Sequence, residues 1–480
     1  MDKKSFYITT TIPYVNADPH IGFALELVQT DAIARYHRLL LGKDNVFFST
    51  GTDEHGQKIW EASEKQGKNV QEYVDHYADT YKRLTELLNI SNDNFIRTTS
   101  EGHIQAAQEL WHLCEAKGDI YKKKYQGLYC VGCEKFIMEK DLIDGKCEFH
   151  PTLIPETVEE ENYFFNITKY RDEIIGYLNS ENAVFPEWRR DEALEFAKNG
   201  MEDFSISRSK ERFAWGVPIP EDEDQVMYVW FDALVNYISS LGWPHNKENF
   251  EKFWKNGYNV QTAGKDMVKF QSVMWQGMLL SAGLPPTKTV IYHGFVTGEG
   301  GIRMSKSLGN VINPEEVVKE YGTDALRYFL LREVSSFEDS PFTMDRFKDA
   351  YNANLANGLG NLVSRIMTMA ENNSVFKTDL PSTGLDPKFV SFMENFNTQG
   401  AVNFIWLLIG EVDALIQSTE PFKLIKTDPE KAKGIISGLI WRLENIAEHL
   451  EVLMPETSEK IQNLIKQNKK PETPLFLRKD

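Results

Sequence analysis

The first fifty residues alternate between strand-like and helix-like patterns of hydrophobic positions. Residues 5–12 are mostly β-branched and aromatic, a composition typical of a buried strand. Apolar residues then recur at helical spacing from Leu25 to Leu40, Gly42 supplies a helix stop, and residues 45–50 form a second strand-like run. This order of strand, helix and strand predicts the start of a parallel α/β sheet.

Two changes of pattern divide the rest of the chain. Between about residues 118 and 220 the periodicity becomes irregular, and strand-like runs return at residues 225–231 and 289–293. The sequence therefore predicts an α/β domain that is split by an insertion. After about residue 350, long stretches at helical period, such as residues 401–416 and 433–453, predict an α-helical bundle.

Length and charge narrow the class of protein. The 480 residues are 41% hydrophobic and 26% charged, which fits a chain of about three domains. With 53 basic and 71 acidic residues, the net charge of −18 argues against a protein that coats nucleic acid through its overall field, but not against a locally basic groove. No apolar run approaches the roughly 18 residues that cross a bilayer, and the first residues lack a signal-peptide pattern, so we expect a cytoplasmic protein.

Three of the four cysteines fall in one short window, Cys130-x2-Cys133-x13-Cys147-x2-His150. Three thiolates and an imidazole favour tetrahedral zinc, and four protein ligands leave no open position, so this spacing predicts one structural zinc ion per chain. The alternative is chance spacing, with His150 a surface residue. Cys114 stands alone in an apolar stretch, and we expect it to be a core residue.

The first candidate site lies where the first strand meets its helix, in residues 13–23. Asp18 suits the N-cap and Pro19 the first helical position, which would place His20 in a first turn that attracts anions. Gly22 leaves room for a nucleotide because no Cβ blocks its approach. Taken alone, these residues could equally form an ordinary helix cap.

The second candidate site is the glycine-flanked loop at residues 298–310. Arg303 and Lys306 supply two cations, and Ser305 and Ser307 supply two hydroxyl groups. A mobile loop with this set of side chains suits charge that develops on transferring phosphates. The alternative is a solvated surface loop.

Together, the H-I-G-F segment at residues 20–23 and the R-M-S-K-S segment at 303–307 resemble the signatures of the class I aminoacyl-tRNA synthetases. Residues 11–14 (T-I-P-Y), 51–56 (G-T-D-E-H-G) and 228–233 (Y-V-W-F-D-A), with the zinc pattern, are similar to the methionyl members. The resemblance implies ligation of methionine to its tRNA through methionyl-adenylate, with ATP and Mg²⁺. It also implies that initiator and elongator tRNAs are the partners.

The resemblance implies a fold class, domain boundaries and residue roles. The fold is α/β: a split Rossmann-like parallel sheet with a zinc-binding connective insertion, followed by an α-helical anticodon-binding bundle. The expected ranges are 1–117 and 221–300 for the two catalytic halves, 118–220 for the insertion, 301–350 for the signature loop and stem-contact region, and 351–480 for the bundle.

The resemblance also implies which residues form the sites. The catalytic residues would be His20 and Lys306. The other ATP-binding residues would be Gly22, Phe23, Arg208, Arg303, Ser305 and Ser307. The amino-acid site would comprise Ile12, Tyr14, Asp53, Trp230, Ala233, Tyr237, Met267 and Gln271, with Asp53 on the substrate ammonium. The anticodon would be read by Asn361, Arg365 and Phe422.

Four of the predicted site residues depart from the family pattern, and outside that set Leu234 replaces an occasional proline. Phe23 replaces the last histidine of H-I-G-H, and Arg303 replaces the first lysine of K-M-S-K-S, which keeps the charge but changes its geometry. Gln271 stands where the methionyl members commonly have a pocket histidine. Phe422 stands at a usual tryptophan, and its smaller ring still offers a face for stacking.

Alternatives from other classes remain open at this stage. Class I enzymes for branched amino acids carry an editing domain, for which about 100 inserted residues are few. A cysteinyl enzyme would place a zinc-ligand cysteine near the first strand, yet the earliest cysteine is Cys114. A non-catalytic RNA-binding relative is the third alternative. We expect a monomer, because the chain ends at Asp480 without an appended dimerisation module.

Overall fold

The computed structural model describes residues 4–130, 135–137, 139, 142–148, 153–211, 214–302, 304, 311–378, 380–381 and 384–480. The chain divides into two compact units. The first unit comprises the chain up to Pro19 together with Leu41–Thr85 and Asn92–Tyr292, and the second comprises His20–Leu40, Glu86–Ser91 and His293–Asp480.

Strands and helices are numbered in chain order. The described residues form the strands β1 (Phe6–Thr9), β2 (Val46–Thr52), β3 (Asn94–Arg97), β4 (Ile120–Cys130), β5 (Lys135–Ile137), β6 (Leu142–Ile143), β7 (Lys146–Cys147), β8 (Glu156–Phe165), β9 (Val184–Phe185), β10 (Phe204–Ser205), β11 (Ser207–Ser209), β12 (Pro218–Ile219), β13 (Asp222–Met227), β14 (Tyr258–Gly264), β15 (Thr289–His293), β16 (Val296–Thr297) and β17 (Ser340–Pro341). They form the helices α1 (Ile21–Leu41), α2 (Gln57–Lys65), α3 (Val70–Leu87), α4 (Glu101–Ala116), α5 (Arg171–Leu178), α6 (Glu187–Glu195), α7 (Val229–Leu234), α8 (Asn236–Ser239), α9 (Lys247–Asn249), α10 (Trp275–Ser281), α11 (Pro314–Tyr321), α12 (Thr323–Arg332), α13 (Met344–Ala350), α14 (Asn361–Asn372), α15 (Pro387–Glu394), α16 (Thr398–Thr419), α17 (Pro421–Leu424), α18 (Pro429–Leu450) and α19 (Pro455–Gln467).

A six-stranded sheet forms the centre of the first unit, in the order β3-β2-β1-β14-β15-β9. β1 pairs in parallel with both β2 and β14, so that Ile8 lies opposite Phe48 and Val260. All four residues of β1 are buried, as expected for a strand in the middle of a sheet that is covered on both faces. The predicted α/β fold with a parallel sheet is confirmed.

Smaller antiparallel sheets are built from the residues between the two halves of the main sheet. β4 and β8 pair over ten residues in a four-stranded sheet, and β11, β13 and β12 form a three-stranded one. The prediction of a main-sheet strand at residues 225–231 is wrong, because β13 ends at Met227 and residues 229–234 form α7. A short apolar run with aromatic residues fits a buried helix as well as a strand, so periodicity alone does not distinguish them.

The first unit has one large hydrophobic core, in which Trp111, Trp254 and Trp275 are almost completely buried. Cys114 belongs to this core and is 0% exposed, which confirms its prediction as a core residue.

β9 lies within the range predicted as an insertion, yet it pairs in parallel with β15 at the edge of the main sheet.

The second unit is mostly helical. α16 confirms the helix predicted at residues 401–416, and α18 confirms the one predicted at 433–453 up to Leu450. Asn313, Asp386 and Asp428 each cap a helix that has proline at its start, and each side chain accepts a backbone N–H from the first turn. Polar caps next to prolines thus set where these helices begin.

One helical region, Thr398–Leu424, is long and apolar enough by length and composition to cross a membrane, with a mean hydropathy of 1.3. Its buried residues Ala401, Ile405, Ile409, Val412 and Ile416 form one stripe at helical spacing. This is the pattern of a helix that packs one face into a core, and such helices pass the same test of length and composition.

Candidate active site

The first candidate site lies at the amino end of α1. The helix begins at Ile21, two residues later than predicted, so His20 is the cap rather than a first-turn residue. The His20 carbonyl accepts hydrogen bonds from the N–H groups of Phe23 (3.0 Å) and Ala24 (3.2 Å), and its Nδ1 accepts one from Gly22 N–H (3.1 Å). The exposed imidazole therefore lies at a helix end that favours negative charge.

Gly22 makes this cap possible. A Cβ at Gly22 would lie 2.9 Å from His20 Cε1 and 3.0 Å from Nδ1, which is too close for the ring to stay where it is. In the structure the space beside Gly22 is thus occupied by the imidazole, whereas the sequence suggested space for a nucleotide. Phe23, next along the helix, is 8% exposed.

Asp53 lies directly after β2, beside the segment that follows β1. It forms an isolated parallel bridge with Tyr14, and its N–H donates to the Pro13 carbonyl at 2.9 Å. Tyr14 and Ile12 are half-buried, and Asp53 is 7% exposed. Since ligands of α/β sheets bind outside the carboxyl ends of the strands, this position suits a binding residue.

Residues predicted to bind the amino acid come together in pairs from α7, α8 and the helical segment Phe270–Met274, which leads directly into α10. Trp230 stacks on Phe270, with ring centroids 3.8 Å apart and planes at 16°. Gln271, which is 1% exposed, donates from Nε2 to Tyr237 Oη at 2.6 Å. Phe270, which sequence analysis missed, thereby forms one side of this group.

Ala233 and Met267 were also predicted to bind the substrate amino acid, and they lie on or near the same elements. Ala233 is buried on α7. Met267 and Phe270 pack against the hydrophobic core to which Tyr237 belongs. The structure thus brings most of this predicted set into one region of the first unit.

Asp232 on α7 is the centre of a buried polar network that sequence analysis missed. Its Oδ2 lies 2.7 Å from His55 Nδ1, its Oδ1 lies 2.8 Å from His103 Nε2, and His103 Nδ1 lies 2.8 Å from Ser239 Oγ. Burial alone would raise the pKa of Asp232, but the charge of His55 and hydrogen bonds from both histidines lower that pKa to about 2. Asp232 is therefore a carboxylate at neutral pH.

Glu54, between Asp53 and His55, is also fixed by partners. It is 0% exposed and accepts hydrogen bonds from Arg97 Nε (2.7 Å), Arg97 Nη2 (2.9 Å) and Thr52 Oγ1 (2.6 Å). Trp215 Nε1 donates to its carbonyl at 2.6 Å. These bonds restrain the turn after β2, because the buried carboxylate of Glu54 and its backbone carbonyl both have partners.

Arg208, a predicted ATP-binding residue, is 1% exposed. Its Nη1 donates to Ser205 Oγ (2.8 Å) and to the Ser207 carbonyl (2.6 Å), and its guanidinium carbon lies 4.0 Å from the centre of the Tyr228 ring. Its predicted contact with ATP stays a prediction.

The signature loop is described only at its start. Gly300 and Gly301 have φ angles of 68° and 79°, which favour glycine, and Gly298 N–H donates to the Ile302 carbonyl at 2.7 Å. Four predicted residues of this loop lie outside the described residues: Arg303, Ser305, Lys306 and Ser307.

Two of the four predicted zinc ligands can be placed. Cys130 ends β4 and Cys147 ends β7, each is 1% exposed, and both belong to a small buried cluster with Ile137. Cys133 and His150 lie outside the described residues, and among the residues that are described no group of three or more metal-binding side chains is assembled. The convergence of two distant buried thiols fits the donor set that zinc prefers.

The predicted anticodon residues lie in the second unit. Asn361 is exposed at the start of α14, and Arg365, one turn further on, forms an ion pair with Asp413 of α16. Phe422 on α17 is 47% exposed, and Lys423 Nζ lies 5.9 Å from the centre of its ring. These three side chains are thus accessible or half-buried, as contacts to a partner require.

Comparison with known sequences gives a consistent result. The family model described as tRNA synthetases class I (M) matches residues 6–153 and 137–367. The methionine–tRNA ligase of Thermotoga maritima is 40% identical over 97% of the chain and 76% of that protein. The methionine–tRNA ligase of Brucella suis is 38% identical over 97% of the chain and 92% of that protein.

Solved structures are similar over the same length. The methionyl-tRNA synthetase of Mycobacterium tuberculosis in complex with methionyl-adenylate superposes with a TM-score of 0.87 at 34% identity, over 96% of this chain and 93% of that one. Its free form gives a TM-score of 0.82 at 31% identity, over 100% and 99%.

Proposed function

The chain belongs to the methionyl branch of the class I tRNA synthetases, and we propose that it joins methionine to tRNA through methionyl-adenylate. In the first step the methionine carboxylate attacks the α-phosphorus of ATP and displaces pyrophosphate. In the second step a ribose hydroxyl of the tRNA terminus attacks the acyl carbon and releases AMP. The observation that carries this proposal is the near full-length similarity to a ligase whose structure contains methionyl-adenylate.

For the first step we propose that His20 and Lys306 stabilise the negative charge of the ATP phosphates. His20 caps a helix whose amino end favours anions, and Lys306 belongs to the loop in which Gly300 and Gly301 have positive φ. ATP enters with Mg²⁺, and the further residues proposed to bind ATP are Gly22, Phe23, Arg208, Arg303, Ser305 and Ser307. Such a reaction needs positioning and charge stabilisation more than covalent help from the protein.

For methionine we propose a site between the end of β2 and α7. Asp53 would hold the ammonium group, and Trp230 and Tyr237 would contact the thioether with the aromatic surfaces that a flexible sulfur-containing chain prefers. Gln271 supports this because its Nε2 fixes the Tyr237 hydroxyl. Ile12, Tyr14, Ala233 and Met267 complete the proposed set.

We further propose a structural zinc ion held by Cys130, Cys133, Cys147 and His150. The buried positions of Cys130 and Cys147 in one cluster support this. The metal would fasten the strands from which its ligands come, and its full set of four protein ligands would leave no position for a substrate. We also propose that Asn361, Arg365 and Phe422 read the anticodon, that the protein is cytoplasmic, and that it is a monomer.

Amino-acid-dependent exchange of pyrophosphate into ATP tests the proposed function. We expect methionine to support faster exchange than any of the other nineteen amino acids, because the aromatic surfaces of the proposed site suit a flexible thioether. Absence of exchange with methionine, or faster exchange with cysteine or a branched amino acid, would reject the assignment. Exchange with methionine but no transfer to tRNA would reject the second step only.

A further inference from the structure

The protonation of the network around Asp232 follows from its geometry. A carboxylate only accepts hydrogen bonds, so each imidazole nitrogen that faces Asp232 carries its proton. His55 therefore carries a proton on Nδ1, the nitrogen that faces Asp232 Oδ2. His103 likewise carries a proton on Nε2, and its Nδ1 lies 2.8 Å from Ser239 Oγ.

This network joins elements that are far apart in the chain. His55 lies two residues after Asp53, and Asp232 lies between Trp230 and Ala233 on α7. His103 on α4 is 129 residues from Asp232 and is 0% exposed. The Asp232 carboxylate therefore links α7 to the segment after β2, and both carry residues of the proposed methionine site.

Burial gives these hydrogen bonds their influence. Asp232 and His103 are 0% exposed and His55 is 4% exposed, so water does not compete for the carboxylate. The His55 ring also lies 5.5 Å from the Trp215 ring, measured between centroids, which restricts its orientation from another side. A small change at His103 would thus be transmitted to His55 and to α7.

We propose that His103 and Asp232 are positioning residues for the methionine site. Asp232 fixes the tautomer and orientation of His55 and the position of α7 relative to the end of β2, and His103 fixes Asp232. Neither residue needs to touch a substrate. The proposal rests on the proposed function and adds to it the residues that shape its amino-acid site.

Four variants test this role in the full-length protein. His103→Phe removes the donor to Asp232, and Asp232→Asn replaces one acceptor oxygen by a donor, so that one histidine loses its tautomer. His103→Gln keeps an N–H donor at the place of Nε2. His449→Phe is the matched control, because His449 is a 0% exposed histidine of the second unit that bonds Asp386 N–H and the Asn445 carbonyl.

In methionine-dependent exchange we expect His103→Phe and Asp232→Asn to raise the KM for methionine about 10- to 100-fold, the range for loss of a hydrogen bond to a charged group. The KM for ATP and kcat should change less than about threefold. His103→Gln should restore most of the methionine affinity, and His449→Phe should lower stability without changing the KM for methionine. Equal losses in all three parameters, or no rescue by His103→Gln, would overturn the proposal.

A second measurement uses the wild-type protein and does not depend on activity. In ¹⁵N NMR of histidine-labelled protein we expect His55 to show a protonated Nδ1, because this nitrogen faces the Asp232 carboxylate. A protonated Nε2 with a bare Nδ1 would overturn the positioning role even if methionine is activated. Conversely, the expected tautomer together with no methionine exchange would reject the proposed function and leave the network intact.

Discussion

Lys306 is the residue whose loss we expect to slow the reaction most. Its charge would act mainly on the phosphates as they separate, so Lys306→Ala should lower kcat by about 10²- to 10³-fold while the KM for methionine changes little. Pre-steady-state or exchange kinetics check this. Lys433→Ala, at an exposed position in the second unit, is the control and should leave both parameters unchanged. A rise in the KM for methionine as large as the fall in kcat would contradict the role.

The four thiols should react in two separate classes. Burial raises the pKa of Cys114 to about 12, so this thiol stays protonated and inert at pH 8. With a thiol reagent, the zinc-loaded native protein should show no fast thiol, addition of a chelator should expose the three proposed zinc ligands, and denaturant should expose the fourth. Elemental analysis should find one zinc ion per chain and none in Cys147→Ala. Zinc that is retained in Cys147→Ala would refute the ligand set.

At the residue scale, side chains within a linear motif could be predicted and their distant partners could not. The T-D-E-H segment located Asp53, and the structure places it at the end of β2 as a binding residue requires. Nothing in the sequence links His103 to Asp232, because their contact depends on how α4 and α7 pack. Asp232 lies within residues 228–233, which resemble the methionyl members, but its role depends on two histidines far away in the chain.

At the scale of elements, α1 is anchored by a buried ion pair. Asp31 Oδ2 lies 2.7 Å from Arg327 Nη2, both side chains are 0% exposed, and Arg327 Nε donates to the Leu453 carbonyl at 2.8 Å. Burial alone would raise the pKa of Asp31, but Arg327 and Arg35 hold that pKa below its usual value. This ion pair thus joins α1 to α12, and Arg327 also bonds the turn between α18 and α19.

Arg327→Met should therefore destabilise the second unit by about 3 kcal/mol, because it leaves the Asp31 carboxylate buried with fewer partners. Urea unfolding followed by circular dichroism would show this as an earlier transition. Lys433→Met, which removes one partner of an exposed pair, should leave the transition unchanged. An unchanged midpoint in Arg327→Met would show that Arg35 and Ser91 alone satisfy Asp31.

Element types could be predicted where periodicity is long and could not where it is short. The 21 residues of α1 and the 22 of α16 give clear helical periods, and both helices were predicted. The seven residues 225–231 carry too little periodicity, and tertiary packing decides that the segment changes from strand to helix after Met227. The helix start at Ile21 rather than Pro19 has a local cause, the hydrogen bonds that His20 makes.

At the scale of the whole molecule, the charge distribution constrains how tRNA binds. Residues 351–480 carry 14 basic and 16 acidic side chains, a net charge of −2, so the first 350 residues carry the other −16. We therefore expect binding of an anionic tRNA to depend on local cations, chiefly in the less acidic C-terminal part, with help from clusters such as residues 122–124. In the structure Lys122 of that cluster is already paired with Asp222 at 2.7 Å, which reduces its availability.

We expect tRNA affinity to fall at least tenfold between 50 and 200 mM monovalent salt, because each phosphate contact releases counterions. Filter binding across a salt series would measure this. The KM for methionine should change less than twofold over the same range, since the proposed amino-acid site is largely shielded from solvent. Salt-independent tRNA binding would contradict this prediction.

The chain order of the two units also limits how this enzyme can be recombined with its relatives. Residues 20–40, which include His20 and all of α1 except Leu41, pack with the C-terminal half through pairs such as Tyr36–Glu394 and Glu26–His293. A chimera joined once near residue 292 would therefore take α1 from one parent and its packing partners from the other. If residues 20–40 and 86–91 are exchanged together with the C-terminal half, both partners of each of these contacts come from the same parent.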